Sequence, residues 1–459
     1  MPNSFLFDPN RCTGCGACRL ACSIENQLEP EYSWRRIDTF NRTRHPGVPL
    51  YHLSLACNHC AEPECMYACP ALAYTRDEAS GAVLLNEDEC IGCRYCAWAC
   101  PYDAPVFVPR RGLMGKCTFC HHRLQEGLEP ACAALCPTGA LGFGDVTEAE
   151  LGSGIAGFPA TELGPRIKIE PLQESRRLPV MTAPEVEYPY VAPAEPPTTG
   201  VSLRSEWSLM LFTTLMATLV AAVATTLTSA FSLNPVLFLD AAAVTMALGA
   251  LHLGKVSRAY RAVLNVRRSW LSREIVAVSG FLALAATYLS LAPEAGVLGG
   301  AATLVGFAGL LCADQVYSVL KASRPAHRHS ASVLWTGFFL TGVFAGRGWL
   351  AAVFGFGKLA LYVLRKLEFI GTGRPVRPLV SLARTAFGFV IPMGLWLAGP
   401  EDTRLYMVAG VLLGELIDRG EYYAELESES PRRQMGIDLE EQLRADRPAA
   451  AQLVAAAAD

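Results

Sequence analysis

The pattern of apolar and polar positions divides the chain into two parts. In the first part polar residues interrupt the apolar stretches, and in the second part long apolar runs dominate. Uncharged runs at 207–231, 275–292 and 295–313 are long enough, or nearly so, to cross a hydrocarbon core as helices. Further apolar segments that are shorter or carry a charge are 236–254, 331–346, 348–364, 379–399 and 404–420. The second part is therefore predicted to be an all-α transmembrane bundle of about eight helices.

The boundaries of these parts can be placed from local composition. Residues 181–204 are rich in proline and poor in large aliphatic residues, which is typical of an extended linker. We predict a head at 1–180, this linker, a transmembrane anchor at 205–423 and a charged, alanine-rich tail at 424–459. The tail is expected to be a frayed helix or disordered. The amino terminus lacks a basic stretch followed by an apolar core, so no secretory signal is predicted there.

The loops between the predicted spans differ in charge. Loops 255–273, 321–330 and 365–378, on the side of residue 205, hold many arginines and lysines, whereas the opposite loops hold few. The positive-inside rule then places that side, with the head and the tail, in the cytoplasm. The alternative is that a basic loop serves an active site. We therefore predict an inner (cytoplasmic) membrane protein whose head lies on the cytoplasmic side.

Cysteine supplies the chemistry of the head. Of seventeen cysteines, only Cys312 lies beyond Cys136. The others form four quartets: Cys12, Cys15, Cys18, Cys22; Cys57, Cys60, Cys65, Cys69; Cys90, Cys93, Cys96, Cys100; and Cys117, Cys120, Cys132, Cys136. The third quartet, followed by Pro101, has the C-x2-C-x2-C-x3-C-P spacing of bacterial two-cluster ferredoxins. The first has the same spacing without the proline, and the other two have wider middle gaps.

This spacing favours four [4Fe-4S] clusters. Three cysteines on a tight loop take three corners of a cubane, and the last cysteine of the run completes a neighbouring cluster. Gly14, Gly16 and Gly92 permit the bends. Zinc sites also use C-x2-C pairs, but they do not need the third cysteine or the x3-C-P ending. A single deviating quartet remains open. The net charge of -4 gives no reason to expect nucleic-acid binding.

The head resembles the four-cluster iron–sulfur subunit of the complex iron–sulfur molybdoenzymes, of the dimethyl sulfoxide reductase type. The matching stretches are "CTGCGACRLAC", "CNHCAEPECMYACP", "CIGCRYCAWACPYDAP" and "KCTFCHHRLQEGLEPACAALCPTGAL". The resemblance implies an α+β ferredoxin-like fold in which one two-cluster unit is inserted in another. It also implies four ligand sets: Cys12, Cys15, Cys18 with Cys136; Cys22 with Cys117, Cys120, Cys132; Cys57, Cys60, Cys65 with Cys100; and Cys69 with Cys90, Cys93, Cys96.

The second part resembles the eight-helix anchor subunit of the same enzymes, in "LHLGKVSRAYRAVLN", "SWLSREI", "WTGFFLTG" and "GELIDRGEYY". The chain departs from the family because two normally separate subunits are fused. The resemblance implies an electron-transfer and anchor protein with a separate molybdopterin (Mo or W) catalytic subunit as its partner. Substrate conversion would then lie on the partner, and only quinone chemistry on this chain.

A quinone site is predicted where the second and third spans begin and end on the head side. His252 ends one span, Arg258 follows in the loop and Glu274 starts the next span. A histidine and a carboxylate suit the proton transfers of menaquinone or ubiquinone, and arginine stabilises the reduced ring. The alternative makes His252 an interfacial residue and the arginine a lipid anchor. Because only His252 among the histidines lies at a predicted helix, no haem is expected.

Other ionisable residues inside the predicted spans are Asp314, Lys358 and Glu415. Glu415 and Arg419 stand four residues apart on one helix, so we expect them to form a structural pair with each other, and a proton route is the alternative.

The resulting functional hypotheses differ in substrate and direction. One is a quinone-reducing sulfite dehydrogenase, and the other a menaquinol-fed reductase of S-oxides or sulfur compounds. The alternatives are a nickel hydrogenase subunit, or a nitrate or formate molybdoenzyme. A transporter with a zinc-bound regulatory head is a further class, which iron and a brown colour would exclude.

Overall fold

A computed structural model describes residues 3–29, 32–147, 154–178, 201, 203–228, 232–320, 325, 328–372 and 374–456. Within these ranges, the side chains of 400–402, 404 and 446–456 are not described. The predicted linker at 181–204 lies almost entirely outside the described residues. The chain forms two compact units, Met1–Gly200 together with Ser428–Asp459, and Val201–Glu427.

The head unit is built on a three-stranded sheet that joins distant parts of the sequence. Strand β1 (Asn3–Phe7) lies in the middle, with β8 (Leu141–Asp145) antiparallel on one side and β9 (Ile167–Ile169) parallel on the other. Phe5 and Phe7 point into the core because side chains on one face of a strand recur every second residue.

Three small hairpins and five short helices also belong to the first 145 residues of the head. The hairpins are β2 (Arg36–Phe40) with β3 (Tyr51–Leu55), β4 (Tyr74–Arg76) with β5 (Val83–Leu85), and β6 (Val106–Val108) with β7 (Leu113–Gly115). The helices are α1 (Ala17–Glu25), α2 (Glu64–Ala68), α3 (Tyr95–Trp98), α4 (His121–Gln125) and α5 (Ala131–Ala134). The small ferredoxin-like α+β head is thus confirmed.

The second unit is mostly helical. Its helices are α6 (Leu203–Thr226), α7 (Pro235–Ala250), α8 (Trp270–Leu291), α9 (Gly296–Val316), α10 (Val333–Phe344), α11 (Gly348–Gly371), α12 (Pro378–Thr385), α13 (Ile391–Ala398) and α14 (Pro400–Glu425). A π-helical segment, Ala386–Val390, joins α12 to α13. Pro392 follows it, and proline lacks the N–H that a regular α-helix would need there.

Four described helical stretches are long and apolar enough to cross a membrane: Leu203–Thr226, Trp270–Leu291, Gly296–Val319 and Pro378–Ala398. Two apolar helices, Pro235–Ala250 and Val333–Phe344, are shorter. These helices indicate association with a membrane. The number of about eight spans remains a prediction.

The carboxyl-terminal segment differs from the expected frayed or disordered tail. Residues Pro431–Ala456 form helix α15, which belongs to the head unit. Met435 and Leu439, one turn apart, are buried in the core of the head. Arg432 donates to Asp38 of β2 at 2.6 Å, and Asp438 accepts from the Gly157 N–H. One apolar stripe therefore holds an otherwise polar helix against the head.

Candidate iron–sulfur and quinone sites

In each cysteine quartet the backbone bends two residues after the first cysteine. The residues at these bends have left-handed backbones: Gly14 (φ 70), His59 (φ 44), Gly92 (φ 69) and Phe119 (φ 59). In three of the loops the N–H of that residue donates to the sulfur two positions earlier, at 3.4 Å: His59 to Cys57, Gly92 to Cys90 and Phe119 to Cys117. Glycine was expected at two bends, but histidine and phenylalanine were not, since the left-handed region costs a non-glycine residue about 1–2 kcal/mol.

Site 1 is the group Cys12, Cys15, Cys18 and Cys136, which lines one small cavity. Cys136 is far from the others in sequence, and the pairing of β8 with β1 brings it there, since Leu141 lies opposite Phe7. The Leu141 N–H donates to the Cys136 sulfur at 3.4 Å. Four thiols with backbone N–H donors form the donor set that a cubane needs, so these residues fit the group.

Site 4 is the group Cys69, Cys90, Cys93 and Cys96, which lines a second small cavity. Tyr74, Leu85 and Met114 cover this cavity with largely apolar surface. The Ala73 N–H donates to the Cys69 sulfur at 3.4 Å. Site 4 therefore combines the same donor set with an environment that limits water.

Two further groups are defined by the electrostatic contacts between their thiols. Site 2 comprises Cys22, Cys117, Cys120 and Cys132, and site 3 comprises Cys57, Cys60, Cys65 and Cys100. In site 2, the Asn26 amide nitrogen lies 3.8 Å from both the Cys22 and the Cys120 sulfurs. The four groups are the sets that the family resemblance implies. Their role as cluster ligands remains a prediction.

The four sites lie in a row. Cys18 of site 1 is an electrostatic neighbour of Cys22 of site 2. Cys117 of site 2 is in the same way a neighbour of Cys57 of site 3. Cys65 of site 3 is likewise an electrostatic neighbour of Cys96 of site 4. These contacts give the order 1–2–3–4.

The rings of His59 and Phe119 pack against each other where sites 2 and 3 meet, with their planes tilted by 35°. Their ring centroids are 3.6 Å apart and both side chains are fully buried. His59 Nδ1 accepts from the Val83 N–H at 2.9 Å. Burial, together with the nearby Lys116 charge, lowers the pKa of His59 well below its ordinary value. The imidazole is therefore neutral, with its proton on Nε2.

Burial also governs the protonation of the thiols in the metal-free protein. It raises the pKa of Cys22 to about 12, although the Arg35 charge opposes the rise. At Cys136 burial acts in the same direction, but hydrogen bonds from Leu141 and Thr138 outweigh it and lower the pKa. Iron binding at Cys22 must therefore displace a proton.

The three residues of the predicted quinone site lie on successive elements between the end of α7 and the first turns of α8. Glu274, in the first turns of α8, is only 6% exposed and lies within electrostatic reach of Arg419 and Asp314. His252 follows α7, and its Nδ1 contacts the Gly249 carbonyl oxygen one turn earlier. Arg258 belongs to a 3-10 segment, Val256–Val263. The quinone-site assignment remains a prediction.

A buried ion network in the second unit was missed from sequence. Glu415 pairs with Lys358 at 2.9 Å and with Arg384 at 2.9 Å, so the expected pair with Arg419 is wrong. Arg419 instead donates to Thr213 Oγ1 and to the Ala331 carbonyl oxygen. Pairing across helices satisfies these charges better, because an isolated charge inside a membrane protein is costly.

Asp314, another ionisable residue inside a predicted span, caps helix α10. Its carboxylate accepts from Ser332 Oγ at 2.6 Å and from the Val333 and Leu334 N–H groups at 2.9 and 3.2 Å. Such a cap satisfies the free N–H groups at a helix start. In the sequence, the start of α10 is indicated by the polar residues that precede its apolar run, among them Ser332.

Comparison with known proteins agrees with the cysteine pattern. The family model described as a 4Fe-4S dicluster domain matches residues 48–146. The B-chain of the anaerobic dimethyl sulfoxide reductase of Escherichia coli (strain K12) is 42% identical over 185 residues, covering 38% of this chain and 90% of that protein. The B-subunit of the tetrathionate reductase of Salmonella typhimurium is 39% identical over 148 residues, covering 32% and 58%. The thiosulfate reductase electron transfer subunit PhsB of Salmonella typhi is 37% identical over 150 residues, covering 32% and 77%.

Proposed function

The protein belongs to the family of dimethyl sulfoxide reductase-type iron–sulfur subunits, and we propose that it carries electrons between a molybdopterin catalytic subunit and membrane quinone. The observation that carries the proposal is the grouping of sixteen cysteines into four neighbouring sets in a row. The helical second unit fits a membrane anchor fused to this subunit.

Four [4Fe-4S] clusters, when bound, supply carriers that each take one electron at a time. In our proposal the cysteines of sites 1 to 4 hold them, and the N–H groups of the bends stabilise the sulfurs. At site 4, largely apolar surroundings limit the access of water to the sulfurs. The described residues of this chain thus bind and insulate the path.

The catalytic partner is proposed to dock beside site 1. The relatives are named as parts of reductases, which implies a catalytic subunit. Leu20 and Ile24 of α1 are 62% and 69% exposed, and Leu135 after α5 is 63% exposed. The neighbouring Cys15 is itself exposed. Exposed apolar side chains at the end of an electron path suit a protein interface.

Two observations bear on direction and substrate. The relatives are named as subunits of dimethyl sulfoxide, tetrathionate and thiosulfate reductases, which favours a menaquinol-fed reductase of S-oxides or sulfur compounds. The basic loops on the head side favour a cytoplasmic head, and a quinone-reducing sulfite dehydrogenase is the second candidate on that ground. Assays of the purified complex with each substrate separate the two.

Metal analysis of the complex tests the proposal. The complex is isolated anaerobically in mild detergent through a tag on this chain. We expect about sixteen iron atoms from this chain, with molybdenum or tungsten from the partner. Nickel in their place would assign the protein to a hydrogenase. Zinc with little iron would contradict the cluster assignment.

Quinone chemistry is proposed at His252, Arg258 and Glu274. The Glu274→Gln variant keeps the size of the side chain but cannot take up a proton. General acid–base groups contribute at least about 10²-fold to a rate, so we expect quinol-linked turnover to fall by that order. Dithionite should still reduce the clusters.

A matched control is Glu294→Gln, because Glu294 is an exposed carboxylate just beyond the other end of α8. Its turnover should equal that of the unaltered complex. Normal quinol kinetics in the Glu274→Gln variant would remove Glu274 from the mechanism.

A further inference from the structure

Arg35 is a buried cation with unused hydrogen-bond donors. It immediately precedes β2 and is 1% exposed. Its Nη1 donates to the Ser54 carbonyl oxygen and to Ser54 Oγ, both at 3.2 Å. Its Nε and Nη2 are buried and have no hydrogen-bond partner within the described ranges. The guanidinium carbon lies 4.4 Å from the centroid of the Phe5 ring. In the sequence, the only feature that marks Arg35 is the second arginine, Arg36, that follows it.

The surroundings of Arg35 are dominated by thiols of two adjacent sites. The groups acting on its charge are Cys132, Cys117 and Cys22 of site 2, and Cys18 of site 1. In the described part of the chain, no carboxylate forms an ion pair with it. A guanidinium stays charged at any relevant pH, and a buried unpaired charge costs several kcal/mol. The anionic counterpart of Arg35 must therefore come from sites 1 and 2.

Ser54 extends the reach of Arg35 into site 1. The Ser54 hydroxyl accepts from Arg35 Nη1 at 3.2 Å and lies 3.4 Å from the Cys18 sulfur. A hydroxyl has one hydrogen to donate. Because Arg35 is always the donor in the first contact, that hydrogen is available for Cys18. Arg35 thus acts on site 1 through Ser54, and its charge acts on the thiols of site 2 through space.

Lys116 provides a contrast. It is also buried, and its Nζ donates to the carbonyl oxygens of Val83 and Cys117. Lys116 therefore donates its hydrogen bonds to backbone carbonyls, whereas Nε and Nη2 of Arg35 remain for another acceptor. This difference distinguishes Arg35 from Lys116 as a cation with donors left for the iron–sulfur sites.

We propose that Arg35 is a positioning residue that raises the reduction potentials of the clusters at sites 1 and 2. The inference rests on the proposed function, since it requires clusters at these sites. Reduction adds one negative charge to a cluster, and a fixed positive charge in a low-dielectric interior stabilises that form. Net charge and hydrogen bonds to the sulfurs are the factors that set such potentials. Arg35 therefore makes the site 1 end of the row easier to reduce.

The test is an anaerobic redox titration of the whole complex, followed by electron paramagnetic resonance. Arg35→Met removes the charge and keeps much of the volume. At a fixed potential, the ratio of reduced to oxidised cluster should fall at least tenfold for two of the four clusters, a downward shift of about 59 mV for a one-electron couple. The site 4 cluster should not shift. Arg35→Lys keeps the charge and should recover most of the potential.

Unchanged potentials in Arg35→Met, or an equal shift in all four clusters, would overturn the proposal. If Arg35→Met does not assemble, Ser54→Ala carries the test. That variant should lower the potential of one cluster only, and four unchanged potentials would contradict the role of Arg35 through Ser54. Failure of the proposed function is distinguishable, because the unaltered complex would then lack four iron–sulfur signals before any substitution is made.

Discussion

Replacing Cys60 by alanine will stop electron flow between the catalytic partner and the quinone. Cys60 is buried in site 3, next to Cys57, Cys65 and Cys100. The sites follow one another in a single row, and none of the thiol contacts that define this order links site 2 directly to site 4. Loss of site 3 should therefore interrupt the path, and quinone-linked turnover should fall to background.

Iron analysis and spectroscopy check this result independently of turnover. The Cys60→Ala complex should hold about four fewer irons than the unaltered one, and the signals of the other sites should persist. Electrons entering from the partner should reduce sites 1 and 2 but leave site 4 oxidised, while dithionite should reduce site 4. Turnover at the original rate with site 3 missing would show that the path is branched.

Cys312 provides the control, since it is the one cysteine outside the quartets and lies in α9. Cys312→Ala should change neither the iron content nor the turnover. A loss of iron in that variant would mean that a cluster uses a ligand from the helical unit.

The second large effect concerns stability. Asp418 of α14 is fully buried; its Oδ1 accepts from Arg365 at 3.1 Å and from Ser330 at 2.8 Å, and its Oδ2 forms an ion pair with Arg384 at 3.1 Å. Asp418→Asn keeps the shape but leaves two buried guanidinium groups with less negative charge. Breaking a buried pair costs about 3–5 kcal/mol. We expect the thermal midpoint of the detergent-solubilised protein to fall markedly, measured as the fraction that stays monodisperse after heating.

The matched substitution is Arg374→Gln. Arg374 pairs with Glu427 at 3.3 Å, and its side chain is 45% exposed. Exposed pairs contribute at most about 1 kcal/mol, so this midpoint should shift little. If the two variants melted alike, the network around Asp418 would not hold the helices together.

The same network explains how α11 and α14, which contain apolar segments, can also carry buried charges. Lys358 and Arg365 of α11 are buried, and their partners lie on α14. Each helix alone carries charges that argue against a membrane environment. Only the assembled pair neutralises them, so hydropathy along one helix could not reveal the match.

The sequence by itself determined the kind of chemistry, because the cysteine loops are local. A C-x2-C-x2-C run with bends at Gly14 or Gly92 is set within a few residues, and the apolar runs reveal helices for the same reason. The spacing predicted clusters, and the family resemblance supplied the four cysteine sets. Spacing alone could not assign Cys136 to site 1, because that contact depends on the pairing of β1 with β8.

The tertiary structure decided every feature that depends on residues distant in sequence. His59 and Phe119 adopt left-handed backbone conformations where their rings pack against each other. Glu415 pairs across helices rather than with its own neighbour Arg419. Helix α15 packs on the head through a stripe that its polar composition concealed. Arg35 became informative only once two groups of thiols surrounded it, since burial and charge neutralisation are properties of the assembled fold.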